Sequence, residues 1–167
     1  MLHKIIKGLD QHAQIESVDA HCDIPCGIYD PHQAQIGALT VIRMVDLIDQ
    51  HVKEHGTIET AEFFNSMARY IAVKEEHAEL VKHEIRVIWG DFIKESHTEQ
   101  FPQLHGLVHK IMALGSKARQ TVDRETALRL LDAVNEFADI FWQIKGIKTK
   151  RVKSPYSVSE EIVVPEL

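Results

Sequence analysis

The sequence predicts an all-α fold: an antiparallel four-helix bundle, with an irregular N-terminal segment ahead of it and a charged tail behind it. Three observations carry this reading. Apolar residues recur at three- and four-residue steps over four long segments. Capping residues and helix breakers bracket those segments. No segment alternates apolar and polar residues convincingly, and no hairpin signal such as Asn-Gly occurs.

The first helix starts at Asp30-Pro31, with Asp as N-cap and Pro at the first helical position. Ile36, Leu39, Val41, Ile42, Val45, Leu47, Ile48 and Val52 carry it to about residue 54, and Gly56 is its C-cap. Thr57 caps a second helix, whose stripe runs through Phe63, Phe64, Met67, Ile71, Val81, Ile85, Ile88 and Phe92 to about Glu95, long enough to kink. A third helix spans about Glu99 to Lys117, with Pro102 in its first turn. Asp123 caps a fourth, in which Leu128, Leu131, Val134, Phe137, Ile140, Phe141 and Ile144 follow, with Gly146 just past the end. The bundle therefore occupies 31–146. The tail, 147–167, is charged and then apolar at its end; disorder and docking on a neighbour both remain open for it.

The chain has 167 residues, 44% hydrophobic and 26% charged, as expected of one soluble domain. A net charge of −6 excludes a nucleic-acid binder, which needs a basic face. Residues 1–20, "MLHKIIKGLDQHAQIESVDA", form a polar leader without the apolar run of a secretory signal. No stretch approaches the ~18 apolar residues of a membrane span, so no membrane partner is expected and the compartment is the cytoplasm.

Cys22 and Cys26, four apart, are the two cysteines of the chain. A bridge between them would close a tiny loop, so metal binding or redox chemistry is the better reading. With His21 they offer two thiolates and an imidazole, one donor short of the usual four for zinc or iron. Cleavage after Ala20 would free the α-amine of His21. That amine, the deprotonated amide of Cys22 and the two thiolates make a planar set of two nitrogens and two sulfurs, which suits nickel(II) or copper(II). Pro25 stiffens the turn and Gly27 permits unusual backbone angles at its exit. On spacing alone, the pair reads equally well as two small apolar residues in a loop.

The whole string is more specific than its spacing. "HCDIPCGIYDP" (21–31) resembles the hook of the nickel superoxide dismutases, H-C-x-x-P-C-G-x-Y, at His21, Cys22, Pro25, Cys26, Gly27 and Tyr29. "EEHAELVKHEIRVIWGDFIK" (75–94), "FPQLHGLV" (101–108) and "DIFWQIK" (139–145) resemble later parts of the same family. The resemblance covers roughly 21–146; a segment around 46–60 is longer than the family pattern, and the tail is additional.

The resemblance implies a homohexamer of four-helix bundles and a precursor whose leader a protease removes. The hook, 21–30, would hold a nickel ion that disproportionates superoxide by cycling between its divalent and trivalent states. Under it, His21, Cys22 and Cys26 are the metal ligands, with His21 axial. Tyr29 gates and orders water at the open face, and Asp23 holds the loop backbone. Lys94 stands near the entrance, where a cation attracts superoxide. Two positions depart from the family: a glutamate that orients the hook imidazole is Gly37 here, and its supporting arginine is His77. His77 is either a substitute hydrogen-bond partner, from its own or a neighbouring subunit, or a surface residue. A second entrance aromatic, commonly tyrosine, is Phe92.

Other readings are weaker. A di-iron bundle needs Glu-x-x-His pairs, and Ile48, Val52, Lys74, Leu80, Lys94, Pro102 and Gly106 stand where those glutamates belong. "HEIRV" lacks the second histidine of a zinc hydrolase. The remaining alternative is a non-enzymatic metal carrier or sensor that uses the same hook and keeps its leader.

Overall fold

The computed structural model describes residues 27–56 and 60–167. Helix α1 spans His32–His55. It starts as its sequence dictates: Asp30 Oδ1 accepts the His32 N–H at 2.8 Å, and the Pro31 carbonyl accepts that of Gln35. It ends at Gly56, at φ 58°. Helix α2 spans Ala61–Val87 and is capped by Thr60, whose Oγ1 accepts the Phe63 N–H, three residues later than the Thr57 expected from sequence.

The irregularity expected of so long a helix falls at its C-terminus. Residues Ile88–Phe92 form one π-helical turn, closed by Ile93 N–H donating to the Ile88 carbonyl. The third helix, expected from about Glu99, begins instead at Leu104 and runs to Gln120 (α4), and a short helix not expected from sequence, α3 over Glu95–Gln100, precedes it. Pro102 is the reason: it disfavours helical backbone at Phe101, which sits at φ −125°, ψ 75°. Helix α5 spans Arg124–Ile144; Asp123 caps it by accepting the N–H groups of Glu125 and Thr126.

The four long helices pack in the cycle α1–α2–α4–α5 around one core. That core holds Leu39, Ile42 and Val45 of α1, Ala78, Val81 and Ile85 of α2, Leu104, Leu107 and Ile111 of α4, and Leu130, Val134 and Phe137 of α5. Lys74 of α2 is the exception, a charged side chain only 2% exposed. Its Nζ donates to the carbonyls of Ala118, Arg119 and Thr121 at 2.6, 2.7 and 3.0 Å, capping the C-terminus of α4. Burial still lowers its pKa, because desolvation outweighs the attraction of Glu75.

The tail forms a hairpin on its own bundle. Strands β1 (Thr149–Lys153) and β2 (Glu161–Pro165) pair antiparallel, with Arg151 opposite Val163. Ile162 and Val163 are buried against the bundle. Two buried amides hold β2 by its outer edge. Asn135 Oδ1 accepts from Val163 N–H and Gln35 Nε2, Gln35 Nε2 also donates to the Val163 carbonyl, and Asn135 Nδ2 donates to that of Glu161. These strands escape the sequence pattern because "TKRVK" has no apolar alternation; their second edge is supplied by α1 and α5.

Candidate metal centre

His21, Cys22, Asp23, Pro25 and Cys26 lie outside the described residues, which begin where the hook leads into the bundle. Gly27 sits at φ 71°, a left-handed conformation that a side chain would strain, one residue after Cys26. Two residues on, Tyr29 turns back onto the bundle. Its ring packs against Phe92 with centroids 5.7 Å apart. The π-helical turn, Ile88–Phe92, carries Phe92 to this end of the bundle.

Phe92 is the hub of a cluster at the hook-side end. It packs on Phe141 of α5 at 5.0 Å and stacks on His97 of α3 at 5.7 Å and 28°. The ammonium of Lys145, just past the end of α5, lies 5.5 Å from the centre of Phe92 and 5.3 Å from that of Phe141. Lys94 is exposed two residues after Phe92, and its backbone N–H donates to His97 Nδ1 at 3.1 Å. The structure thus brings Tyr29, Phe92 and Lys94 to one end of the bundle. His97 and Lys145 belong to the same cluster and were missed from sequence. The available signal was slight: Lys145 follows Phe141 by one helical turn.

His77 is elsewhere. It is half-buried on α2, fifteen residues before Phe92, or about 22 Å along the helix. Its Nδ1 lies 2.9 Å from the carbonyl of Val73, one turn back. Gly37 faces it across the α1–α2 contact: a Cβ there would stand 3.2 Å from the His77 carbonyl oxygen and 2.9 Å from Val81 Cγ2. The two departures from the family pattern are therefore neighbours in space.

Among the described residues no group of three His, Cys, Asp or Glu side chains is placed to hold a metal. The sequence matches a family model for nickel-containing superoxide dismutase over residues 16–145. The chain belongs to that family. A curated nickel superoxide dismutase of Streptomyces coelicolor is 36% identical over 133 residues, spanning 77% of this chain and 91% of the relative. One of Streptomyces seoulensis is 37% identical over 128 residues, spanning 77% and 90%. The native 1.30 Å structure of a nickel superoxide dismutase superposes with a TM-score of 0.65 at 35% identity, over 75% of this chain and 99% of the other. The apo form of such an enzyme superposes at 0.62 and 32% identity.

The donors present in the sequence fit the family's metal. Two thiolates and an imidazole are soft-to-borderline ligands, and a peptide amide beside them favours a planar ion over a tetrahedral one. The tail hairpin lies beyond the family match, which stops at residue 145.

Proposed function

We propose that this protein disproportionates superoxide at a nickel ion held by His21, Cys22 and Cys26. Two superoxide anions and two protons become one dioxygen and one hydrogen peroxide. The observation that carries this is the string "HCDIPCGIYDP", complete at every fixed family position, in a chain that belongs to the family. Nickel, when bound, supplies the one-electron couple. The anionic Cys22 and Cys26 thiolates and the Cys22 amide favour its higher oxidation state. The imidazole of His21 would supply a further nitrogen donor to the ion, and Asp23 would steady the loop backbone.

Support for the entrance roles comes from the cluster around Phe92. Tyr29, packed on that ring, orders water and substrate at the open face. Lys94 and Lys145 raise the local positive potential in a chain of net charge −6, which draws in the superoxide anion. Phe92 carries no hydroxyl, so hydroxyl-dependent work there falls to Tyr29 or to water. His77 supports the hook imidazole of a neighbouring subunit, a reading favoured by its distance along α2 from its own chain's Tyr29–Phe92 pair.

Removal of residues 1–20 by a protease completes the donor set by freeing the His21 amine. The family's hexamer and a cytoplasmic location belong to the same proposal. No helix among the described residues is long and apolar enough to cross a membrane.

Nickel analysis and N-terminal sequencing of the active protein test this together. One nickel per chain and His21 as first residue are expected. Zinc in place of nickel overturns it in favour of a metal carrier, and full activity with residues 1–20 attached overturns the amine-ligated site. Cys22→Ser and Cys26→Ser should each abolish nickel binding and dismutation.

A further inference from the structure

Two histidines share one face of α1 far from the hook. His51 and His55 stand four residues apart at its C-terminal end, and His51 is about 28 Å along the helix from His32. Both belong to the segment, 46–60, that is longer than the family pattern. Their rings meet: the centres lie 4.4 Å apart and the planes cross at 46°.

A backbone carbonyl orients each ring. His51 Nε2 lies 3.3 Å from the carbonyl oxygen of Phe63 on α2, and His55 Nδ1 lies 3.0 Å from that of His51. A carbonyl only accepts, so these two nitrogens carry the protons. In the neutral rings the lone pairs are therefore on His51 Nδ1 and His55 Nε2. Neither accepts a hydrogen bond among the described residues. His51 is held further by stacking on Phe63 at 4.6 Å and 14°, with Tyr70 edge-on at 5.8 Å. His55 is exposed, so the pair opens to solvent. Metal-binding histidines are prepared in the same way, with the second ring nitrogen donating to a carbonyl or carboxylate.

We propose that His51 and His55 together bind one divalent late transition-metal ion, with the tetragonal geometry of copper(II) and water in the remaining positions. Neutral imidazole suits such an ion. A helix with histidines at i and i+4 presents both to one metal. The ring spacing favours the geometry. With metal–nitrogen bonds of about 2.0–2.1 Å, two imidazoles at right angles around an ion have ring centres roughly 4.5 Å apart, against roughly 5.2 Å at the tetrahedral angle of zinc. The observed separation is 4.4 Å, so the rings need to turn towards a shared ion but not to part. Glu54, which accepts from Gln50 Nε2 at 2.6 Å, adds negative charge on the same turn. Spacing alone does not make such a site. His105 and His109 of α4 share it, yet no ring contact joins them, and His105 Nδ1 already accepts from the Trp89 indole at 3.2 Å. The pair on α1 is independent of the nickel chemistry proposed for the hook.

Copper(II) titration of the full chain carrying Cys22→Ser, Cys26→Ser and His3→Ala tests it, because those changes remove the hook thiolates and a competing histidine near the chain start. Electron paramagnetic resonance at substoichiometric copper(II) should show two coupled imidazole nitrogens in this parent and one after adding His55→Ala. The dissociation constant should rise at least about tenfold in His55→Ala, because the chelate is lost. His51→Ala should act alike. His55 is exposed, so its variant keeps the test valid even if His51→Ala disturbs the Phe63 stack. His109→Ala is the control and should change neither readout. An unchanged constant and spectrum in His55→Ala, or an equal loss in His109→Ala, overturns the proposal. Retained dismutation in the parent would count against the function above and not against this pair.

Discussion

At Gly37 the helices α1 and α2 approach until a side chain no longer fits. A methyl group there would press on Val81 and on the backbone carbonyl of His77, and the carbonyl cannot rotate away. Two effects compete in Gly37→Ala. Helix propensity favours alanine by up to ~1 kcal/mol. Overpacking a close contact costs about 1–3 kcal/mol. Overpacking wins, so the variant should lose about 1–2 kcal/mol, read from the urea midpoint at unchanged slope. The same geometry explains why a glutamate cannot be reinstated here without moving α2. Gly37 therefore meets the backbone of His77, so the spacing of α1 and α2 at this point is set by the absence of a side chain at Gly37.

Elements are held to one another by a few buried polar groups, each with complete partners. Lys74 closes the end of α4, which is why a lysine sits on a core stripe. Asn135 and Gln35 do the same for β2, replacing the strand that an edge would otherwise need. Asn135→Leu would leave the Val163 N–H and the Glu161 carbonyl without partners and remove one of the two acceptors of the Gln35 amide. Unsatisfied buried groups cost about 1–3 kcal/mol each, less where the hairpin can lift into water. A loss of about 2–4 kcal/mol is expected, with faster hydrogen exchange at Ile162 and Val163. Unchanged protection there would show that apolar burial alone holds the hairpin.

For the whole molecule, the acid response follows from its surface carboxylates. The hydrogen bond from Arg86 holds the Glu79 carboxyl below its usual range, with Lys82 adding to it. The Thr126 hydroxyl does the same for Asp123. A carboxylate with a depressed folded pKa stabilises the fold above its unfolded value and loses that contribution as pH falls through the folded one. The melting temperature should therefore hold from neutral pH down to about 4.5 and fall below it, less steeply in Glu79→Gln. Both groups are well exposed, so the slope is modest.

Much of this was legible in the chain itself. Helical periodicity, Asp30-Pro31, Asp123, Gly56 and Gly146 determined the bundle and most of its ends, because caps and breakers act within one turn of backbone. The hook string identified the family because it packs several chemical requirements into eleven consecutive residues. What depends on distant partners was decided only by the tertiary structure. The strands of the tail exist because Gln35 and Asn135 offer them an edge, and His97 and Lys145 join the hook-side cluster because three elements meet on Phe92. The α2 stripe reads as core along its whole length; only the early ends of α4 and α5 turn Phe64 and Ile71 into surface. Local rules are written in neighbouring residues, whereas burial depends on where other helices stop.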